Sequence, residues 1–296
     1  MTESGCKKIA LDASKIRDFG FQVAGHPGVL EVEDNGMIIK PLDQRELEFY
    51  EGSKTSCPEL RPFMPLFFGT LEHAPTEVSS LPELTEKKKY ICLENLVHEF
   101  KEPCVLDIKI GSRLWDIDAT PEKRERTIRQ ASRTTSAELG ISVTGMRLHG
   151  QPAVDRDWCR NLTPTTVMGA LDMYFSAAEQ RVSPEYRRQV VEQFIEEVTE
   201  LKAVIEKAET RMYSSSLLFV YEASKERYEL LAAQADASND NDGSSDGDGD
   251  DGALINMKII DFAHSHWTPG QGRDDNYLVG ISKLIEILGT VLQKWQ

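Results

Sequence analysis

The chain has 296 residues, 40% of them hydrophobic and 28% charged, and carries a formal net charge of -15. That length and apolar content suffice for one large or two modest domains with a substantial core, while the negative charge excludes a general nucleic-acid binder, which needs a positive face. No apolar run reaches membrane-spanning length and the first eight residues lack the apolar stretch of a secretory leader. The five cysteines (Cys6, Cys57, Cys92, Cys104, Cys159) show no paired spacing. An intracellular chain is expected, with free thiols and neither a disulfide framework nor a zinc site.

In chain order, Gly25 and Gly28 around His26 and Pro27 first mark a turn, a weak signal because short glycine turns are common. Residues 37–42 (Met-Ile-Ile-Lys-Pro-Leu) predict a strand with Lys40 near its end, residues 44–50 a short helix carrying Glu46 and Glu48, and residues 90–96 another strand ending in Glu94-Asn95-Leu96. Next comes Pro103-Cys104-Val105-Leu106-Asp107-Ile108-Lys109-Ile110-Gly111, an apolar strand with an acid and a base inside it. Strand side chains alternate, so Asp107 and Lys109 share one face. Two charges there are costly unless they meet a charged ligand or each other.

The second half predicts three helices, at Thr120-Pro121, Thr163-Pro164 and Ser183-Pro184, each pairing a capping hydroxyl with a proline suited to the first turn. On a helix over residues 121–135, Lys123, Arg126, Arg129, Gln130 and Arg133 fall on one arc, with Ile128, Ala131 and Thr135 opposite. Four cations crowded together in so acidic a chain suit a polyanionic ligand, and guanidinium forks suit phosphate. The third helix repeats Val191, Phe194, Ile195, Val198, Leu201, Val204 and Ile205 at helical spacing through residue 209, as a core scaffold. Residues 217–222 and 254–262 predict a hairpin interrupted at 236–252 by a run whose seven aspartates supply nearly half of the net charge. Such a run has nothing to bury and is expected to be a disordered, solvated loop. Residues 281–295 predict a closing amphipathic helix.

The pattern Pro-x-x-x-Asp-x-Lys-x-Gly at 103–111 resembles the signature of the inositol polyphosphate kinase family. Ser215-Ser216-Leu217-Leu218, Ile260-Asp261-Phe262 followed by Ala263-His264, and Gln22-Val23-Ala24-Gly25-His26 resemble further family segments and stand in the family's order. There is no glycine-rich Walker sequence and no His-Arg-Asp catalytic loop. The resemblance implies an α+β, two-lobed kinase-like fold of the protein-kinase and ATP-grasp type, with an ATP-binding lobe over residues 1–97. Residues 98–296 would form a second lobe, with inositol phosphate-binding helices at about residues 116–140.

It further implies an ATP- and Mg2+-dependent kinase of soluble inositol tris- and tetrakisphosphates, closest to the multikinase branch, monomeric and residing in nucleus and cytoplasm. By resemblance, Lys40, Glu94, Leu96, Asp107 and Asp261 bind nucleotide, Asp261 holds the metal, and Asp107 and Lys109 are catalytic. Lys109, Lys123, Arg126, Arg129, Gln130, Arg133 and His264 are expected around the acceptor, and Ser216 near the metal. The rival reading is a noncatalytic inositol phosphate-binding or adaptor protein; the presence of Lys40, Asp107, Lys109 and Asp261 counts against it.

Overall fold

The computed structural model describes residues 13–24, 28–71, 89–177, 183–230 and 254–295. The turn at Gly25, His26 and Pro27 and the acidic run at 236–252 lie outside the described residues. Short strands β1 (Ile16–Asp18) and β2 (Leu30–Val32) lead into β3 (Met37–Pro41). Together with β4 (Phe67–Leu71) and β5 (Tyr90–Glu94) they form a five-stranded sheet in the order β1-β2-β3-β5-β4. Helix α1 (Gln44–Ser56) follows β3 and starts where expected, the Asp43 carboxylate capping it by accepting from the amides of Arg45 (2.9 Å) and Glu46 (3.2 Å), but it continues past the expected end at residue 50. The predicted strand 90–96 stops at Glu94. There the Asn95 amide turns away to the carbonyl of Gly36 (2.7 Å) and the Asn95 side chain accepts from the amide of Val97 (3.2 Å).

The signature segment forms β6 (Pro103–Ile110), an inner strand of a four-stranded antiparallel sheet in the order β10-β9-β6-β7. Its partners are β7 (Ile141–Arg147), β9 (Ser216–Glu222) and β10 (Ile255–Ile260). Strand β9 pairs with β10 as the expected hairpin, Tyr221 facing Ile255. Both faces of β6 are covered, so it reads as one apolar run. Cys104, Leu106, Ile108 and Ile110 enter the main core, and Val105 joins Val23, Val97 and Val220 on the other side. Asp107 and Lys109 share that second face, as the alternation requires.

A register shift between β6 and β7 at Asp107/Ile108 leaves Thr144 as the extra residue of a bulge, and bulges re-aim side chains. At the adjacent Gly145 a Cβ would stand 2.3 Å from the carbonyl oxygen of Val23, so the 19–24 segment can cross the sheet at that point only over glycine. The signature's last residue has an equally local reason: Gly111 sits at φ 99°, and a Cβ there would come within 2.4 Å of Asn276 Nδ2. Asn276 Oδ1 accepts from the amides of Ser112 (3.0 Å) and Arg113 (2.8 Å), pinning the turn that leaves β6. Gly111→Ala is therefore expected to cost roughly 2 to 4 kcal/mol, combining left-handed backbone strain with disturbed Asn276 bonds. Denaturant midpoints at unchanged slope would measure it.

Helix α2 (Pro121–Ser132) is capped as predicted, the Thr120 hydroxyl accepting from the amide of Lys123 at 3.2 Å, and is followed by the single turn α3 (Ser136–Leu139). A further short helix, α4 (Arg156–Arg160), carries no sequence signal long enough to read. The start predicted at Thr163-Pro164 is displaced: α5 spans Val167–Phe175, and residues 163–166 form a preceding turn in which the Thr166 hydroxyl accepts from the amide of Thr163 at 2.8 Å. Helix α6 (Pro184–Ile205) begins at Ser183 as expected and buries Val190, Val191, Phe194, Val198, Leu201 and Ile205, while Ile195 and Val204 are only partly covered. It ends four residues before 209, where β8 (Thr210–Met212) pairs with β11 (Ser265–Trp267). The closing helix α7 (Asp275–Gln293) starts before the expected 281 because Asp274 caps it, accepting from the amide of Tyr277 at 3.0 Å. The expected division at residue 97 falls between β5, the last strand of the first sheet, and β6, the first strand of the second. Among the described residues no helix is long and apolar enough to cross a membrane.

Candidate active site

Two charged groups close in sequence and a third more than two hundred residues away meet beside the first sheet. Lys40 Nζ on β3 lies 3.0 Å from Glu46 Oε1 on α1 and 3.2 Å from Asp261 Oδ1, just after β10. The amide of Phe262 also donates to Glu46 Oε1 at 3.3 Å. Of the two glutamates offered by the sequence, Glu46 takes the lysine; Glu48 instead accepts from Gln44 Nε2 at 3.0 Å. Burial works to lower the pKa of Lys40, but Asp261 and Glu46 outweigh it and hold the amine charged. Burial raises the Glu46 carboxyl, and Lys40 opposes it.

Asp261 sits at φ 65°, a left-handed conformation uncommon outside glycine. Aromatic packing sustains it. The Phe262 ring stacks on Phe49 of α1 at 4.6 Å and meets Tyr50 edge-on at 5.3 Å, and Phe49 stacks in turn on Trp267 of β11 at 4.5 Å. The helix bearing Glu46 is thereby fixed against the turn bearing Asp261, whose side chain remains 41% exposed.

On β6, Asp107 and Lys109 each have their own partner. The Thr144 hydroxyl at the bulge donates to the Asp107 carboxylate, and Lys109 Nζ donates to the carbonyl of Ser214 at 2.8 Å. Burial raises the Asp107 carboxyl above its ordinary range and the nearby Asp261 charge adds to this, against Thr144, Lys109 and Ser216. Ser216 stands on β9 directly across from Lys109. One carboxylate as exposed as that of Asp261 fits a divalent ion that brings phosphate oxygens and water as its remaining ligands. Among the described residues, no group of three or more His, Cys, Asp or Glu side chains is arranged to hold a metal alone.

Glu94 ends β5, and Leu96 lies in the connection between the sheets. The Glu94 carboxylate accepts from the amide of Leu66 at 2.9 Å, so its side chain holds the approach to β4, a duty the sequence did not reveal. Leu96 is buried and its carbonyl accepts from Asn256 Nδ2 at 3.3 Å.

Beyond Asp261 opens a cavity of about 310 Å3 lined by Asp43, Arg45, Asp116, Asp118, Lys123 and His264, among others. Asp116 is its hub. The carboxylate is 2% exposed, binds Arg45, and lies 2.9 Å from His266 Nε2 and 3.6 Å from His264 Nδ1. Burial would raise the Asp116 carboxyl, but His266 and then Arg45 overcome it and hold the group low. The pKa of His264 is lowered by burial first and by Lys123 next, so at neutral pH it offers hydrogen bonds rather than charge. The Ser214 hydroxyl donates to the carbonyl of Leu114 at 2.8 Å, tying the Lys109 contact to the loop that carries Asp116.

Of the predicted basic arc, only Lys123 lines this cavity. Arg126, Arg129 and Gln130 are exposed on α2 and Arg133 is exposed just past its end, with Arg129 placed 3.5 Å from Glu125 one turn away. The inward face of the helix runs through Lys123, Thr127 and Ala131. Of the residues opposite the arc, Ala131 is buried but Ile128 is 49% exposed. The helix stops at Ser132, so Arg133 and Thr135 leave the wheel on which the arc was drawn. Arg124 lies over one face of Trp115 at 3.8 Å, a contact that helps seat the helix on the 112–119 loop. Arg45 and Asp116 escaped the sequence reading. The available signal for Arg45 was its adjacency to Glu46 on a capped helix; Asp116 lies in an aperiodic loop and had none.

The family model described as inositol polyphosphate kinase matches residues 90–289. The inositol polyphosphate multikinase of Saccharomyces cerevisiae is 33% identical over 344 residues, covering 90% of this chain and 96% of its own. Inositol hexakisphosphate kinase 1 of Rattus norvegicus is also 33% identical, over 226 residues, but this covers 68% of the present chain and 51% of the rat protein. A crystal structure of the S. cerevisiae inositol phosphate multikinase Ipk2 in complex with ADP and Mn2+ superposes with a TM-score of 0.69 at 34% identity, covering 86% of this chain and 98% of that one. With the signature on β6, the Lys40–Glu46–Asp261 cluster and these likenesses together, the chain belongs to the inositol polyphosphate kinase family.

Proposed function

We propose that this inositol polyphosphate kinase is a multikinase, transferring the γ-phosphoryl group of ATP to ring hydroxyls of inositol tris- and tetrakisphosphates with Mg2+ as its ion. The observation that carries the reading is the placement of the charged Lys40–Glu46–Asp261 cluster next to a cavity whose walls alternate cations with carboxylates. Phosphoryl transfer needs positioning and charge stabilisation more than covalent help. Lys40, oriented by buried Glu46, steadies the ATP phosphates, Glu94 and Leu96 border the adenine, and Asp107 faces the nucleotide. Asp261 holds the ion, which when bound neutralises charge on the phosphate oxygens. Lys109, fixed through Ser214, lies near the transferred group and the accepting hydroxyl, while Lys123 and His264 bind the acceptor. Arg126, Arg129 and Arg133, with the neutral Gln130 among them, present an outer rim to acceptor phosphates. The near-complete overlap with the yeast multikinase, against half of the rat hexakisphosphate kinase, supports the multikinase branch.

Division into a nucleotide lobe over residues 1–97 and an acceptor lobe over 98–296, a monomeric state, absence of nucleic-acid binding, and residence in nucleus and cytoplasm are further parts of the proposal. Thermal unfolding tests the nucleotide part. Mg2+ and ATP together at about a hundred times the dissociation constant should add about 2.7 kcal/mol, raising the melting temperature by several degrees. ATP without the ion should do much less. Equal shifts with and without Mg2+ would contradict the assignment of Asp261.

A further inference from the structure

Arg45 and Glu46 are consecutive on α1, yet they serve different places. Glu46 orients Lys40, and Arg45 enters the cavity wall. The Arg45 guanidinium spans two carboxylates, Nη1 on Asp116 and Nη2 on Asp118 Oδ2 at 3.2 Å. These two acids are unlike. Asp116 is 2% exposed and shared with His266, whereas Asp118 is 63% exposed, at the cavity rim. One edge of the guanidinium is thus anchored from inside, and the other is covered by a carboxylate that solvent or a ligand can replace.

We propose that Arg45 binds a phosphate of the acceptor and that Asp118 is its internal competitor, so that acceptor preference follows the number of phosphates carried. The inference rests on the acceptor reading of this cavity. A planar guanidinium edge that accommodates a carboxylate accommodates a phosphate equally well, and a phosphate carries more charge and more acceptor oxygens. An exposed ion pair such as Arg45–Asp118 contributes little by itself, so exchange of partners is inexpensive. Removing Asp116 would expose a buried arrangement; removing Asp118 only frees the outer edge. Asp118 also repels whatever phosphates stand nearest, and repulsion grows with their number. An acceptor with free hydroxyls at that position meets a hydrogen-bond acceptor, while one with a phosphate there must displace Asp118 first.

The test compares kcat/KM for inositol 1,4,5-trisphosphate and inositol 1,3,4,5-tetrakisphosphate at saturating ATP in the full chain, with melting temperature recorded alongside. Asp118→Asn should shift the ratio toward the tetrakisphosphate by about threefold or more, through KM rather than kcat. Arg45→Gln should lower acceptor efficiency by about ten- to a hundredfold, and Asp118→Asn added to it should bring no gain. Arg45→Lys, which keeps charge but loses the fork, serves if Arg45→Gln does not fold; it should lose most of the Asp118→Asn gain. An unchanged ratio in Asp118→Asn, a fall in melting temperature without a change of ratio, or a gain that persists without Arg45 would each overturn the proposal. Failure of the wild type to phosphorylate either acceptor would overturn the functional reading itself, which a fixed ratio in an active enzyme would leave standing.

Discussion

Asp261→Asn is expected to lower kcat by about two to three orders of magnitude with little change in melting temperature, because one charge contact in such a site is worth roughly 2.7 to 4 kcal/mol. The substitution is close to isosteric, and asparagine tolerates the left-handed conformation at φ 65° better than almost any other non-glycine residue. Lys40 keeps Glu46 at 3.0 Å after the change, so no buried charge is abandoned. What disappears is the anionic oxygen proposed to hold the ion. Single-turnover rates with a saturating acceptor, set beside melting curves, separate these effects. Retention of more than about a tenth of the wild-type rate would remove Asp261 from the metal site.

Lys109→Ala should show a loss of similar size, by a different route. Its amine is placed by one backbone acceptor, Ser214, on a strand whose other side chains are buried, so the charge is preorganised at the place proposed for the transferred phosphoryl group and the accepting hydroxyl. Truncation removes stabilisation needed mainly in the transition state, and kcat should fall about a hundredfold or more while the KM for ATP moves little. The carbonyl of Ser214 loses a donor at a partly solvated position, a cost of about 1 kcal/mol in stability. A variant with normal kcat and a raised acceptor KM would assign Lys109 to ground-state binding instead.

The most legible part of the sequence was β6, because an apolar strand can hold Asp107 and Lys109 on one face only for a reason, and both sheet neighbours and core agree with that alternation. Capping chemistry was equally readable at Thr120 and Ser183, where a hydroxyl and a proline act together. The same pair misled at Thr163, where neighbouring threonine hydroxyls satisfy each other and delay the helix to Val167. Strand β7 went unread: its bulge at Thr144 and the crossing at Gly145 answer to tertiary contacts with Asp107 and Val23, which leave no period in the sequence. The Asp116 hub was hidden for the same reason. Its partners Arg45, His264 and His266 lie 71, 148 and 150 positions away, and only the fold brings them together. The arc on α2 was drawn from a correct helix, but its orientation depends on Trp115 and its end on a cap, so Lys123 alone reaches the cavity.

The most direct measurement is product analysis after incubating the purified chain with Mg2+, ATP and inositol 1,4,5-trisphosphate. Stepwise appearance of inositol tetrakisphosphate and then pentakisphosphate, with one ADP released per phosphate gained and both steps abolished in Asp261→Asn, is the expected result. Release of ADP without any phosphorylated inositol, or no turnover by a chain whose melting temperature rises with Mg2+ and ATP, would contradict it.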